Sequence, residues 1–180
     1  MAMSDFSERM LANATSKDKA RFRPLILIVV PLVALLFQVY VPRFFPFLSY
    51  LELPLLITMH YALTRREPVS SLLYGCVIGM VQDALSNQKI GMYGIVKTLV
   101  GYFAASVGMR FDVENPMITF ILGFFFYSFH QFFYWVLTRA LLGQLVNFEL
   151  QQTLVFGLLN AAVSLPLFHL MDRLKVTSQS

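Results

Sequence analysis

Long apolar segments alternate with short polar or charged clusters along the chain. Cutting the sequence at the charged clusters leaves apolar segments at 24–42, 44–64, 68–82, 90–109, 115–138 and 150–171. A helix needs about 20 mainly apolar residues to cross a hydrocarbon core about 30 Å thick. The segment 68–82 is the short one, and it reaches that length only if its helix continues through Asp83 to Ser86. The pattern therefore predicts six membrane-spanning helices, with an acid in the last turn of the third.

The predicted fold is an all-α integral membrane protein that forms a single domain. No segment alternates between polar and apolar residues with a period of two, as the strands of a membrane barrel would. Short connections make consecutive helices antiparallel neighbours. The prediction comprises a cytoplasmic tail at 1–23 and a membrane domain at 24–175, with helices at about 24–42, 45–64, 68–86, 91–109, 116–138 and 152–172.

Composition and charge agree with a membrane protein. The chain is 57% hydrophobic and only 13% charged, about half the charged fraction of an ordinary globular domain. Basic residues concentrate at one set of helix ends, which predicts that both termini are cytoplasmic. The net charge of +4 is then a matter of topology, because no basic patch interleaved with aromatic residues indicates nucleic-acid binding. The lone Cys76 excludes a disulfide within the chain and a cysteine-based metal site.

Small residues line one face of the third predicted helix and one face of the fourth. Gly75 and Gly79 form a GxxxG pair, which allows close approach of another backbone in lipid. Gly94 and Gly101 share a face of the fourth helix, and Lys97 lies between them on that same face. We therefore predict that Lys97 points into a protein contact, the alternative being that its side chain reaches the outer headgroups.

Asp83 and Lys97 are the charged residues at the outer end of this predicted hairpin. Ionisable groups within a membrane usually pair with one another or line a polar cavity. An Asp83–Lys97 ion pair is therefore one hypothesis, and Glu52 on the outer part of the second helix is a second candidate partner for the lysine.

The sequence contains no constellation that indicates catalysis. We find no glycine-rich phosphate loop, no G-x-S-x-G motif and no paired carboxylates within the predicted helices. The histidines, His60, His130 and His169, lie on three different predicted helices and are assigned to packing or to the membrane interface. We therefore predict that the protein is not an enzyme and has no catalytic residues, no metal site and no cofactor.

The hairpin sequence QDALSNQKIGMYGIVKTLVGY resembles the MreD family of rod-shape-determining proteins. The positions that carry the resemblance are Asp83, Leu85, Ser86, Gly91, Gly101 and Tyr102. A looser likeness extends to LELPLLITMHYALTRR, which includes Glu52, and the hydrophobic layout agrees over residues 24–172. Lys97 departs from the family pattern, in which this position is more often apolar.

The resemblance implies a non-catalytic scaffold subunit of the bacterial cell-elongation machinery, which makes peptidoglycan and determines rod shape. It implies a location in the cytoplasmic (inner) membrane and binding to MreC, a single-span protein, beside RodA, its partner transpeptidase and the MreB filament. It also implies a fold like that of the substrate-binding (S) components of vitamin transporters. The residues expected to serve a partner interface or the structure are Glu52, Gly75, Gly79, Asp83, Ser86, Gly91, Gly94, Lys97, Gly101 and Tyr102.

Two functions remain open at this point. In the first, the small-residue faces of the third and fourth helices are the leading contact surface for the span of MreC. In the second, the protein is the substrate-binding subunit of a vitamin-type transporter. The pocket of that subunit would open outward and be lined by Asp83, Glu52, Asn160 and Lys97.

Overall fold

The computed structural model describes residues 24–86, 91–111, 113 and 115–174, and this part of the chain contains six α-helices and no strand. The all-α prediction is therefore confirmed. The predicted tail at 1–23 and the polar turn at 87–90 lie outside the described residues. The helices are α1 Pro24–Tyr40, α2 Leu53–Arg65, α3 Pro68–Leu85, α4 Met92–Gly108, α5 Pro116–Leu142 and α6 Leu150–Arg173.

Helix α2 is the central helix of the bundle and is shorter than predicted. Every residue from Pro54 to Leu63 is buried, mainly against α4 and α3. The predicted start near residue 45 was wrong, because the proline at 46 begins a 3₁₀ turn at Pro46–Tyr50 and Pro54 sits in the first turn of α2. With 13 residues, α2 is only about 20 Å long. The extended backbone before it must find hydrogen-bond partners in the rest of the protein.

Helices α3 and α4 form the tightest pair in the fold, and glycines make their close approach possible. A Cβ atom added to Gly75 would overlap the backbone carbonyl of Lys97, and one added to Gly79 would overlap the backbone at Tyr93. At the other end of the pair, a Cβ on Gly101 would overlap the carbonyl of Ser71. The small-residue faces therefore pack against each other within the chain.

The α3–α4 contact provides a matched pair of glycine substitutions. Gly79→Ala is expected to destabilise the fold by about 3 kcal/mol, because the new methyl group meets rigid backbone. Gly94→Ala should cost much less, since its nearest neighbour is the flexible side chain of Met80, with Cγ at 3.1 Å. Thermal unfolding of both variants in the same detergent measures the difference, and equal melting temperatures would contradict the close-packing account.

Helix α5 starts as its sequence predicts and ends later. Asn115 precedes Pro116, and its side-chain oxygen accepts a hydrogen bond of 2.9 Å from the N–H of Met117. The helix continues to Leu142, beyond the predicted end at 138, because no residue interrupts it until Gly143, whose φ of 62° is typical of a glycine that ends a helix. This extension carries the end of α5 beside the connection 143–149.

The outer surface of the bundle is apolar, as expected for contact with lipid. Large apolar side chains are exposed on every long helix, and examples are Ile28, Val69, Val77, Met117, Ile121 and Leu158. Within the described residues, four helices are long and apolar enough to cross a membrane, at Leu25–Arg43, Pro68–Leu85, Pro116–Leu142 and Leu150–Arg173. Helices α2 and α4, with 13 and 17 residues, are shorter.

Candidate functional site

A cluster of charged and polar side chains lies buried where α2, α4 and α5 meet. Lys97 on α4 is fully buried, and its Nζ lies 3.6 Å from Oε2 of Glu52 at the start of α2. The same Nζ lies 3.4 Å from Nε2 of His130 on α5, and 4.6 Å from the ring centre of Tyr93. The ammonium group of Lys97 is thus surrounded by a carboxylate, an imidazole and the face of an aromatic ring, all of which stabilise a buried cation. We call Glu52, Tyr93, Lys97 and His130 the polar cluster.

Glu52 reaches the cluster because the backbone around it is held in a non-helical conformation. The side chain of Asn160 on α6 accepts a hydrogen bond of 2.9 Å from the N–H of Glu52 and donates one of 2.9 Å to the carbonyl of Tyr50. Asn160 is fully buried, so it supplies the partners that water cannot supply there. The carboxylate of Glu52 is consequently placed beside the first turn of α2 and faces α4.

Asp83 lies at the end of α3 and caps the start of α4. Its two carboxylate oxygens accept hydrogen bonds from the N–H groups of Gly91, at 2.9 Å, and of Tyr93 and Gly94, each at 3.1 Å. The first N–H groups of a helix have no partner within the helix, and the positive end of its dipole favours an anion. A fully buried acid therefore joins the two helices of the hairpin.

Two tyrosines connect the polar cluster to a cavity at the end of the bundle where α4 begins and α5 ends, which is the outer end in the predicted topology. The rings of Tyr93 and Tyr134 stack with their centres 5.0 Å apart, and Tyr93 also lies parallel to His130 at 5.8 Å. Tyr134 in turn lines a cavity of about 440 Å³ formed by α5, the start of α6 and the connection 143–149. We call this space the outer cavity.

An apolar groove runs between α1 and α3 on the outside of the bundle. Its volume is about 410 Å³, and the walls include Ile28 and Leu32 from α1 with Leu73 and Val77 from α3. The hydroxyl of Tyr74 donates a hydrogen bond of 3.1 Å to the carbonyl of Leu27, which joins the two helices at the floor of the groove. We call this feature the α1–α3 groove.

The site residues predicted from the sequence lie in different parts of the structure. Lys97 points into the protein, as predicted, but its acidic partner is Glu52, the second candidate, and not Asp83. Asp83 instead contacts Gly91 and Gly94. Ser86 ends α3, and Tyr102 is 44% exposed on the side of α4 away from the core. Gly75, Gly79 and Gly101 lie in the α3–α4 contact.

Sequence reasoning missed two members of the polar cluster. His130 was assigned to packing or to the interface, yet it is buried beside Lys97. A histidine in the middle of a 27-residue apolar helix is itself a signal, because ionisable side chains in membrane helices usually face a polar partner. Nothing in the sequence indicated that Tyr93 belongs to the cluster. Its ring contacts Lys97 because it lies one helical turn before that residue on α4.

The four groups expected to line a transporter pocket are engaged within the protein. Glu52 and Lys97 pair with each other, Asp83 caps α4, and Asn160 holds the backbone around Glu52. The outer cavity is lined by other side chains. Among the described residues, no three His, Cys, Asp or Glu side chains come together as a metal site.

Comparison with known protein families gives a match that extends over almost the whole chain. A family model described as rod shape-determining protein MreD matches residues 19–175. That range contains all six helices, the polar cluster, the outer cavity and the α1–α3 groove. No curated protein and no solved structure matches the chain. Since the match covers far more than half of the 180 residues, the chain belongs to the MreD family of rod shape-determining proteins.

Proposed function

We propose that the protein is a non-catalytic scaffold subunit of the cell-elongation machinery in the bacterial inner membrane. Membership of the MreD family and the apolar outer surface support this proposal. The chain crosses the membrane six times with both termini in the cytoplasm, since most basic residues then lie on the inner side. RodA, its transpeptidase partner and MreB belong to the same proposed assembly.

Two of the six proposed spans, α2 and α4, are short for a bilayer. Short helices are tolerated where neighbouring helices cover them and satisfy the backbone beyond their ends. Helix α2 is covered on all sides, and Asn160 satisfies the backbone at Glu52 and Tyr50. At the outer end of α4, Asp83 binds the free N–H groups. Both spans are therefore compatible with a membrane of ordinary thickness.

The α1–α3 groove is the surface that we propose for binding the span of MreC. Helix association in lipid depends on packing, since the lipid tails are as apolar as the side chains that they cover. A concave groove offers a partner helix more contact than a convex helix surface does. The groove follows α1 from Leu27 to Leu35 and α3 from Ser70 to Val81, a length of about 12 to 16 Å at 1.5 Å per residue.

The groove is favoured over the small-residue faces considered from the sequence. Gly75, Gly79 and Gly101 contact the backbone of the neighbouring helix, so within the described residues these faces leave no space for a further helix. Leu73 and Val77 lie on another side of α3 and are exposed by 58% and 61%. This part of the proposal therefore rests on one observation. The α1–α3 groove is apolar and exposed, whereas the small-residue faces of α3 and α4 are already packed against each other.

Filling the groove tests this binding surface. Val77→Trp is expected to reduce the amount of MreC that co-purifies in mild detergent by about tenfold, because a bulky ring that occupies the groove removes more than 1.4 kcal/mol of packing. Quantitative immunoblotting of tagged protein and MreC gives the ratio. The variant itself should remain inserted and folded, since position 77 is exposed.

Ile121→Trp on α5 is the matched control for this experiment. Ile121 is also β-branched and is 53% exposed, but it does not line the groove. Its MreC ratio should equal that of the unchanged protein. Equal MreC recovery from Val77→Trp and the unchanged chain would place the binding surface elsewhere, and equal losses in both variants would indicate a general effect of added bulk.

A further inference from the structure

The outer cavity has an unusual lining for a space at the end of a membrane bundle. Its walls combine aromatic rings, among them Tyr50, Tyr134 and Trp135, with four carboxamide side chains, Gln131, Gln144, Asn147 and Gln152. Threonine hydroxyls and one carboxylate, that of Glu149, complete the polar part of the lining. Among the residues that the structure describes, neither lysine nor arginine lines the cavity.

This lining excludes some ligand classes and favours one. A phosphate or carboxylate ligand would need a cationic partner, and within the part of the chain that the structure describes the only charged group on the wall is an acid. A purely apolar ligand would leave unsatisfied those carboxamide donors and acceptors that are not bonded within the wall. Carboxamides both donate and accept, as sugar hydroxyl and acetamido groups do, while aromatic faces cover the apolar C–H faces of a sugar ring.

We propose that the outer cavity is a binding site for a neutral saccharide. The volume of about 440 Å³ lies in the range of small-molecule sites. This inference goes beyond the scaffold function and does not depend on it, because the lining of the outer cavity and the lining of the α1–α3 groove share no residue. MreC binding and saccharide binding can therefore fail independently.

Hydrogen bonds within the wall hold several of these side chains in place before a ligand arrives. The amide of Gln152 donates to the hydroxyl of Tyr50 at 3.3 Å, and that of Gln131 donates to the hydroxyl of Tyr127 at 3.0 Å. The indole N–H of Trp135 donates to the carbonyl of Val146 in the connection at 2.9 Å. Sites that are formed in advance lose less conformational entropy on binding.

Trp135 makes the proposal directly testable, because it is the only tryptophan in the chain and it lines the cavity. The full-length protein is purified in detergent and titrated with N,N′-diacetylchitobiose or maltose while tryptophan fluorescence is recorded. Each sugar should give a saturable change in fluorescence. Tighter binding of N,N′-diacetylchitobiose than of maltose would show that acetamido groups contribute to the affinity. The same sugar should also protect Trp135 from quenching by acrylamide.

A double variant and a neighbouring control locate the response. Asn147→Ala combined with Gln152→Ala should weaken saccharide binding about tenfold or more, because two hydrogen-bonding groups are removed. Gln151→Ala should bind as the unchanged protein does, because Gln151 is exposed and does not line the outer cavity. Inorganic phosphate should give no saturable change.

Several results would overturn the proposal. These are the absence of a saturable change with both sugars, equal binding by the double variant and the unchanged chain, and an equal response to phosphate. The acrylamide measurement on the unchanged protein tests saccharide binding beside Trp135 even if the double variant does not fold. Unaltered quenching in the presence of either sugar would exclude a ligand beside Trp135.

Discussion

Lys97→Met is expected to destabilise the folded protein by about 3 to 5 kcal/mol, the usual cost of leaving one partner of a buried ion pair without the other. The variant keeps an unbranched side chain of nearly the same length but leaves the carboxylate of Glu52, which is only 6% exposed, without its cation. It also removes the contact with Nε2 of His130. Unfolding by a denaturing detergent, followed by circular dichroism, measures the change.

The double variant Lys97→Met with Glu52→Met separates the ion pair from simple packing. Removing both charges should recover most of the lost stability, because apolar residues of similar size often replace a buried pair without cost. The coupling free energy between the two positions is then expected to be about 2 kcal/mol or more. Recovery should be incomplete, since Nε2 of His130 remains without its partner.

Two results would contradict this account of the polar cluster. Additive losses in the double variant would mean that Glu52 and Lys97 do not stabilise each other. A single Lys97→Met variant as stable as the unchanged chain would mean that the lysine is not held inside the bundle. His130→Phe provides a further comparison, because it removes the imidazole while Glu52 and Lys97 remain paired.

Asp83→Ala is expected to cause the second large loss, about 3 kcal/mol or more. The substitution removes three charge-assisted hydrogen bonds to the N–H groups of Gly91, Tyr93 and Gly94, each worth about 1.5 to 3 kcal/mol, and the remaining N–H groups regain little from water at this buried position. The stability of Asp83→Asn should lie between that of the unchanged protein and that of Asp83→Ala, because an amide retains one acceptor oxygen. Thermal unfolding in detergent ranks the three proteins.

Glu149 supplies the matched control for the capping prediction. It also precedes a helix, α6, but its side chain makes no capping hydrogen bond, and it is exposed. Glu149→Ala should therefore change stability by less than about 0.5 kcal/mol, as surface substitutions usually do. Similar losses for Asp83→Ala and Glu149→Ala would show that the capping bonds contribute little.

The hydrophobic pattern was sufficient to place most of the helices. An apolar segment of membrane length between charged clusters is a local signal, because the lipid or the protein interior must cover each such segment wherever it packs. The start of α5 was also local, since Asn115 and Pro116 act on the backbone next to them. The start of α2 was missed because its prolines form part of an apolar run, and hydropathy does not distinguish a 3₁₀ turn from an α-helix.

The candidate site was predictable only in part. The glycine spacing showed that the face of α4 with Lys97 meets protein, and the structure agrees. The identity of the neighbour was not available from spacing, because Gly79 could equally have approached a partner's helix in lipid. His130 is 33 positions from Lys97, and Asn160 is 108 positions from Glu52, so no sequence period relates them.

The sequence by itself determined that this chain is a helical membrane protein with an acid and a lysine at a tight hairpin, because those features depend on composition and on neighbouring residues. Tertiary structure alone decided that Glu52 and not Asp83 pairs with Lys97, and that the glycines join α3 to α4. It also formed the outer cavity from α5, the start of α6, the connection 143–149 and Tyr50 of the segment before α2. The physical reason is that these contacts depend on which helices are adjacent, and the packing of the whole bundle determines that arrangement.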